Sequence, residues 1–586
     1  MNADPPIQSI LNVFLFRLVQ RMLRLRFCSD RLGSVGSIRS LMCSSTSRVY
    51  CTSGAKKQDF SKTLLLPKTN FPMRANAAQV EPKYRKRCTS ELYEWQQKRY
   101  QEQPDKFPLW VTHDGPPYAN GSPHIGHALN KILKDIVNRY KLMKGHSVSY
   151  IPGWDCHGLP IELKAIQENE LLQHQFKDTE SSIKLRKEAK KVASKAIKIQ
   201  KKHFMEWGVM GEWEKPYLTL LPSYESAQIS VFYELYRKGL IYQGVRPVHW
   251  SPSSNTALAE AELEYPENYK SRSVFCGFSI HEASMSPQFK EIMGKYSTGH
   301  AATSPRLLIW TTTPWTLPAN KGVCIHRDIE YCIVTIGKKG EETSQSETFV
   351  VAKKQIEYLQ STFDRSVTVL QDIPAKMLLD CEYEGLLFPG KVYEADFVTD
   401  SSGTGLVHTA PGHGHDDFRV LTGKYKVDPF CPVDHEGKYT SEVGAELEGL
   451  EVLGDANAKI IDMLQDKGMF VHQHSFAHKY PHDWRTKKPV IIRTTKQWFT
   501  DLRSLIPKAI DKLEDVEMIP FHGKERFSNM LQQREDWCIS RQRCWGVPIP
   551  VFFHKDTEEP LINEDTIDHL RGLVDKQGVD CWWTLS

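Results

Sequence analysis

A chain of 586 residues is too long to fold around a single hydrophobic core, so several domains are expected. With 40% hydrophobic and 25% charged residues, the composition is that of a globular protein and excludes a disordered or fibrous chain. A net charge of +5 allows a polyanionic partner without requiring one.

Residues 1–58 differ in composition from the rest of the chain. Residues 1–50 hold seven arginines and two aspartates, and ILNVFLFRLVQRMLRLRF can form a helix with one apolar and one cationic face. This pattern predicts a mitochondrial transit peptide and a location in the mitochondrial matrix, with a signal anchor or a disordered segment as alternatives. Arg17 interrupts the apolar run well short of the ~18 residues of a membrane-spanning helix, so no membrane partner is expected.

Residues 59–265 begin like a nucleotide-binding α/β domain. LWVTH (109–113) predicts a strand, a turn-rich loop follows, and a helix begins near His124. SVSYIP (147–152) predicts a second strand. A strand, a glycine-containing loop and a helix in this order are typical of a doubly wound parallel sheet, which gives the predicted fold class, α/β and Rossmann-like.

Residues 266–470 have a different pattern. Runs such as LLIWTTT, YCIVTIG, TFVVAKK and GTGLVHTA alternate with turn residues, which predicts a large, mostly β inserted domain. Residues 471–586 return to mixed α/β sequence, which predicts a return to the first domain and leaves its parallel sheet incomplete. The expected oligomeric state is a monomer.

The predicted helix that starts at His124 is amphipathic. His124, His127 and Lys131 lie on its polar side, and the free N–H groups and dipole of its first turn favour anions. Gly126 lacks a side chain where a flat ligand could approach the backbone. The apolar positions share the other face and are predicted to bury against a sheet: Ile125, Leu129, Ile132, Leu133, Ile136 and Tyr140.

Three long motifs give these features a family context. PPYANGSPHIGHALNKILKD resembles the HIGH motif of class I aminoacyl-tRNA synthetases, and it is followed in order by GWDCHGLPIE and EDWCISRQRCWGVPIPVF. The latter two are similar to the versions found in the isoleucine branch of that family. The resemblance implies ATP-dependent attachment of isoleucine to tRNA(Ile), with isoleucine, ATP with Mg²⁺, and tRNA(Ile) as partners.

The resemblance also implies residue roles. His124, Gly126 and His127 would form the catalytic motif, and the histidines would stabilise the phosphates in the transition state. Asp155 would bind the α-ammonium group of the amino acid, the Pro116 carbonyl would accept a second hydrogen bond from it, and Tyr118 would belong to the same substrate site. A structural carboxylate that caps a turn is the alternative reading of Asp155.

The β-rich insert resembles the editing domain of the isoleucine, valine and leucine enzymes through WTTTPWTLPAN and GTGLVHTAPGHGHDDF. An isoleucine pocket excludes valine by only about 10–200-fold, so a second, hydrolytic site is needed to remove valine from tRNA(Ile). The implied residues are Thr312 and Thr313 in the pocket, Asn320 in support, His408 near the terminal ribose and Asp417 on the α-amino group.

Metal binding is not expected in this chain. GHGHDD could be read as a metal cluster, but the threonine-rich partner motif favours the editing interpretation. The thirteen cysteines form no C-x-x-C pair, which argues against a zinc ribbon or a thioredoxin motif, so no structural zinc is expected. Their scattered spacing is typical of reduced thiols.

The sequence also departs from the family, because it contains no KMSKS loop. It is therefore expected to be the C-terminally truncated form of a longer synthetase, with negligible ATP–pyrophosphate exchange of its own. Two alternatives remain: a product that keeps only editing deacylase activity, or a tRNA-binding fragment. The second alternative would use the predicted helix at 183–204, whose nine Lys or Arg residues otherwise form a solvated helix face.

Overall fold

The computed structural model describes residues 60–65, 69–70, 72, 74–169, 179–296, 305–337, 347–532 and 534–584. The predicted transit peptide lies outside the described residues. The chain divides into two compact units, Met1–Ala75 and Asn76–Ser586. In the first unit the described element is a 3₁₀ helix, Phe60–Thr63. All elements named below belong to the second unit.

The second unit begins with two helices followed by a βαβ arrangement. The two strands pair in parallel, with Leu109 opposite Ser147 and Thr112 opposite Tyr150. The strands predicted at 109–113 and 147–152 are confirmed to within two residues. The elements are α1 (Ala77–Cys88), α2 (Ser90–Glu102), β1 (Leu109–Thr112), α3 (Ile125–Met143) and β2 (Ser147–Tyr150).

Helix α3 turns its polar side, not its apolar side, towards the sheet. Lys131 and Asn138 are buried, since the Lys131 ammonium pairs with Asp114 and Asn138 accepts a hydrogen bond from Thr112. The prediction of a buried apolar face is therefore wrong, because hydrophobic periodicity does not count a polar pair formed with another element. The exposed side chains are Ile125, Leu129, Ile132, Leu133, Ile136 and Tyr140, with Val137 and Met143 beside them.

The next segment packs a long helix beneath the first sheet. Strands β3 (Gly153–Trp154) and β4 (Tyr217–Leu218) pair in parallel. The helix predicted at 183–204 is confirmed, and its apolar residues join a core that contains Tyr150 and Trp154. Prolines stand in the first turns of the shorter helices, where they leave no orphaned N–H. The helices are α4 (Leu159–Glu168), α5 (Thr179–Glu206) and α6 (Pro222–Arg237).

A mostly β insert follows, as predicted. Its six-stranded sheet has the order β13-β11-β12-β9-β8-β17 and its four-stranded sheet the order β14-β15-β10-β16. Strands β5 (Ile241–Ser251), β6 (Thr256–Leu258) and β7 (Leu263–Glu264) precede the insert. The strands of the insert are β8 (Tyr269–Ser279), β9 (Arg306–Thr311), β10 (Gly322–Ile325), β11 (Tyr331–Gly337), β12 (Glu347–Ala352), β13 (Ser366–Ile373), β14 (Glu382–Tyr383), β15 (Gly390–Glu394), β16 (Val407–Thr409) and β17 (Phe470–His478).

The helices of this region are short. Besides four three-residue 3₁₀ helices (Glu282–Ser284, Lys353–Gln355, Ala375–Met377 and Ser441–Val443), they are α7 (Pro287–Lys295), a 3₁₀ helix (Pro314–Ala319), α8 (Ile356–Phe363), α9 (His415–Asp417) with a π-helix (Phe418–Lys424), and α10 (Ala456–Asp466). Strands β8 and β17 form one antiparallel ribbon along the edge of the six-stranded sheet. The insert therefore begins and ends with this ribbon, and its C-terminal limit lies beyond the predicted residue 470.

The chain then returns to the outside of the insert. Strand β19 (Ile491–Asp501) pairs antiparallel with β5 along ten residue pairs and joins the two sides of the insertion. The other elements are β18 (His482–Asp483), α11 (Ile506–Leu513), α12 (Gly523–Gln532), β20 (Asp536–Cys538), β21 (Phe552–Phe553), β22 (Pro560–Leu561), α13 (Glu564–Gln577) and α14 (Cys581–Thr584). Within the described ranges, no helix combines the length and apolar character needed to cross a membrane.

Candidate active site

The start of α3 is capped by its own histidines. His124 Nδ1 accepts a hydrogen bond from Gly126 N (3.1 Å), and His127 Nδ1 accepts one from His124 N (3.1 Å). Because both Nδ1 atoms accept, the proton of each neutral ring lies on Nε2, which can donate to a ligand. Burial, together with His124 and Lys131, lowers the pKa of His127 below its ordinary value. The helix start therefore offers Nε2–H donors in addition to its dipole.

Gly126 is needed for this cap. A Cβ at this position would lie 2.9 Å from Cε1 and 3.0 Å from Nδ1 of His124. The ring could then not fold back over the first turn. The structure thus gives a local reason for this glycine, and its predicted contact with a flat ligand stays a prediction.

The loop at 114–121 and the GWDCHGLPIE segment are joined through their backbones. Ala119 N donates to the Asp155 carbonyl (2.9 Å), and Asp155 N donates to the Pro117 carbonyl (3.0 Å). The Asp155 carboxylate accepts from His157 N (3.4 Å), and burial raises its pKa. The Pro116 carbonyl accepts no hydrogen bond from a described residue. This geometry brings the predicted substrate residues to one place.

A buried ion pair stabilises the segments that form this site. The Lys131 ammonium pairs with the Asp114 carboxylate, and their side chains are 1% and 0% exposed. Asp114 also accepts from the Tyr150 hydroxyl (3.1 Å) and from Gly153 N (3.0 Å). Asp114 therefore fixes the loop that follows it and the strand that leads to Asp155. No sequence motif pointed to this pair, because no role was predicted for Asp114.

Helix α5 holds the same loop from another side. Gln200 is fully buried, and its Nε2 donates to the carbonyls of Tyr118 (3.0 Å) and Gly121 (2.8 Å). Its Oε1 accepts from the Trp154 indole (2.9 Å), next to Asp155 in the chain. Gln200 lies outside every quoted motif, so no sequence signal pointed to it.

The third motif packs on the second. Trp545 Nε1 donates to the Cys156 carbonyl (2.7 Å), and Trp545 N donates to Glu162 Oε2 (3.0 Å). Gly158 N donates to the Trp545 carbonyl (3.2 Å), and the Trp545 ring meets His157 edge-on at 5.1 Å. Segments almost 400 residues apart in the sequence thus form one wall beside Asp155.

The insert contains a separate cavity of about 280 Å³. The predicted pocket residues Thr312 and Thr313 line it, and their role in editing stays a prediction. Asn320, His408 and Asp417 do not line it. Several other polar lining residues were not found from the sequence, and those from strand β8 and the start of α10 include Tyr269, Arg272, Asp455 and Asn457.

Asn320 and His408 belong to a buried hydrogen-bond chain that ends at this cavity. The Tyr383 hydroxyl donates to Asn320 Oδ1 (2.5 Å), and Asn320 Nδ2 donates to His408 Nδ1 (2.7 Å). His408 Nε2 therefore carries the proton and donates to the Thr316 hydroxyl (2.9 Å), which donates to the Thr313 carbonyl (2.9 Å). The chain fixes the backbone of Thr313.

Burial makes His408 a neutral residue. It lowers the pKa of His408 to about 3, so the imidazole does not become charged near neutral pH. Its two ring nitrogens are both occupied by hydrogen bonds within the insert. The predicted position near a terminal ribose stays a prediction.

Asp417 lies in a third environment. Its carboxylate accepts from Ala410 N (2.8 Å), and a Cβ at Gly414 would come within 2.9 Å of all three of its carboxyl atoms. Burial raises the pKa of Asp417 to about 7. This carboxyl is therefore poised to gain a charge near neutral pH, and a bound ammonium group would favour the charged form.

The GHGHDD residues do not converge on a point. His413 bonds to the Ile492 carbonyl, His415 lies against His249, and Asp416 pairs with Arg419. Across the described part of the chain, no group of three His, Cys, Asp or Glu side chains is placed to hold a metal ion. The predicted lack of structural zinc stays a prediction.

The fold and site define the class of protein. Residues 84–586 match the family model for tRNA synthetases class I (I, L, M and V), and the chain belongs to this family. Its sequence is 46% identical to the isoleucine–tRNA ligase of Rippkaea orientalis over 90% of the chain and 54% of the relative. The same identity and shares hold for the isoleucine–tRNA ligase of Nostoc sp.. The chain thus spans about half the length of the curated relatives it matches.

Among solved structures, the chain aligns with a LeuRS–tRNA–LeuAMS complex from Agrobacterium radiobacter. The alignment has 18% identity and a TM-score of 0.30, and it covers 80% of this chain and 52% of that one. The resemblance to class I synthetases is confirmed by the family match, and the sequence relatives reported above are isoleucine–tRNA ligases.

Proposed function

We propose that this chain provides the amino-acid and phosphate-binding half of an isoleucine–tRNA ligase, together with its editing insert. The observation that carries the proposal is the convergence of the capped α3 N-terminus, the 114–121 loop and Asp155. In this arrangement His124 and His127 donate from Nε2 to ATP phosphates, and Asp155 binds the isoleucine ammonium group. Mg²⁺ is proposed to arrive with ATP. The partner nucleic acid is tRNA(Ile).

The experiment is calorimetric binding of a hydrolysis-resistant isoleucyl-adenylate, in which a sulfamate replaces the phosphate. We expect the isoleucyl form to bind more tightly than the valyl form by about 10–200-fold, the range that one methylene provides. The leucyl analogue serves as the matched control of equal size. Equal affinity for the three analogues, or no binding of any, would contradict the proposal.

The second candidate function is hydrolysis of Val-tRNA(Ile) by the insert alone. It is favoured because both β-sheets, the cavity and the buried Tyr383–Thr313 chain lie between β8 and β17. Asp417 would hold the valine ammonium group, and an oriented water would attack the ester.

Deacylation of Val-tRNA(Ile) is expected to rise between about pH 6 and pH 8, because Asp417 binds an ammonium only as the carboxylate and its pKa is about 7. Asp417→Asn should reduce the rate by about 100-fold and remove this rise. Asp416→Asn, at the adjacent exposed position, is the matched control. For every variant, the rate of spontaneous hydrolysis of Val-tRNA(Ile) at the same pH is subtracted from the measured rate. A rise that persists in Asp417→Asn would assign the pH dependence to another group.

The proposed location is the mitochondrial matrix. The arginine-rich composition of residues 1–58, with an apolar and a cationic helical face, supports it. The proposed oligomeric state is a monomer.

A further inference from the structure

Helix α5 carries a regular row of cations on its outer side. Each member follows the previous one by three or four residues, so all share one helix face. At a rise of about 1.5 Å per residue the row is about 27 Å long. We call it the lysine row, and all six members are exposed: Lys184, Lys187, Lys191, Lys195, Lys198 and Lys202.

The row is largely uncompensated. Glu180 pairs with Lys184 (2.7 Å) and Glu188 pairs with Lys191 (2.6 Å). No acidic side chain among the described residues lies within ion-pair distance of the other four. A solvated helix that serves only solubility normally mixes both signs of charge.

The segment that carries the row is strongly basic. Residues 183–204 hold nine lysines or arginines and a single acidic residue. Outside this segment and residues 1–58, acidic residues outnumber basic ones. Residues 183–204 thus form the longest strongly cationic helix among the described residues, which is the pattern of an electrostatic binding site.

The opposite face of α5 holds the row in place. Leu185, Ala189, Ala193 and Phe204 are fully buried in the core beneath the first sheet. The lysine side chains therefore project from a helix that is already ordered, so binding does not have to order the backbone. Gln200, on this buried side, is the residue that holds the 114–121 loop.

We propose that the lysine row binds the phosphate backbone of an RNA, and that this RNA is the tRNA of the proposed function. A straight line of cations at axial steps of about 4.5–6 Å fits a linear polyanion rather than a single compact ligand. Lysine suits this role because its ammonium acts as a point charge towards phosphate without requiring a particular base. The row would add affinity, and base identity would be read elsewhere.

The test is fluorescence anisotropy of labelled tRNA(Ile) with the full chain in a chloride series from about 50 to 200 mM. The row variant replaces Lys187, Lys195, Lys198 and Lys202 with Gln, which keeps helix propensity. We expect the salt slope of log affinity to fall by about three to four and the affinity at low salt to fall at least about tenfold.

The matched control removes the same charge from four exposed lysines on other elements: Lys290, Lys376, Lys508 and Lys555. It should leave the slope within about one of the unchanged chain. Equal losses of tRNA affinity and salt slope in both variants would show that only the net charge of the chain matters, which would overturn the proposal. The row variant is also tested for binding to phosphatidylserine vesicles. Unchanged tRNA affinity in the row variant would overturn the proposal, and so would a variant that loses vesicle binding but keeps tRNA binding.

The same variants are titrated with the isoleucyl-adenylate analogue. If RNA binding depends on the row but the analogue does not bind, the proposed function is contradicted and RNA binding by the lysine row is supported. If the analogue binds but RNA binding does not depend on the row, the proposed function is supported and RNA binding by the lysine row is contradicted. Circular dichroism melting of the row variant should match the unchanged chain, which verifies that α5 is folded.

Discussion

Lys131→Met is expected to destabilise the second compact unit by about 3–5 kcal/mol, the cost of leaving one member of a buried ion pair alone. Methionine fills the space of the lysine stem, so the change removes mainly the charge. Asp114 would keep its hydrogen bonds from Tyr150 and Gly153. Lys134 lies 3.4 Å from Asp114 and is 26% exposed, so it replaces the lost ammonium only in part.

Urea unfolding followed by hydrogen exchange of the amides in β1, α3 and β2 measures this effect where it arises. The double variant Lys131→Met, Asp114→Asn should recover most of the loss, because no buried charge is then unpaired. Lys83→Met, at an exposed position of α1, is the matched control. A single variant within about 1 kcal/mol of the unchanged chain would show that Asp114 finds other partners.

Asp155→Asn is expected to weaken the isoleucyl-adenylate analogue by about 30- to 4,000-fold, equivalent to about 2–5 kcal/mol. The amide keeps the size of the side chain and an oxygen that can accept from His157 N. It loses the charge that would pair with the ligand ammonium in a partly buried site. The backbone pairing of residue 155 with the 114–121 loop does not depend on the side chain.

The readout is the dissociation constant, together with that of an adenosine sulfamate that lacks the aminoacyl group. Asp155→Asn should leave this truncated ligand unchanged, which separates ammonium binding from a general disturbance of the site. Asp105→Asn, on the exposed turn before β1, is the matched control. An unchanged affinity in Asp155→Asn would instead indicate that Asp155 is a structural carboxylate that caps a turn.

The sequence predicted element types well in this chain and helix orientation poorly. Helices α3 and α5 and strands β1 and β2 follow from local periodicity and turn residues, which act over a few positions. The exposed side of α3 does not, because the buried Lys131 pairs with Asp114, a residue 17 positions away in the loop after β1. A polar side chain that looks solvated in its own helix can thus be the one that packs.

The site shows the same division. Motifs located His124, His127 and Asp155, and the structure brings their segments together. Gln200 and Trp545 support them from outside the HIGH motif, and only the tertiary structure reveals those contacts. In the insert, the motif residues separate into a cavity wall, a buried hydrogen-bond chain and the separate environment of Asp417, a distinction that sequence spacing does not contain.

The exposed apolar face of α3 has a practical consequence for every solution experiment on this chain. Salts that are excluded from protein surfaces, such as sulfate and phosphate, strengthen apolar association, whereas any added salt weakens phosphate binding by lysine. A rise in sulfate would therefore cause self-association while it releases RNA, and the two effects would be confused in a light-scattering or anisotropy signal. Chloride at low temperature, where apolar attraction is weaker, keeps them apart.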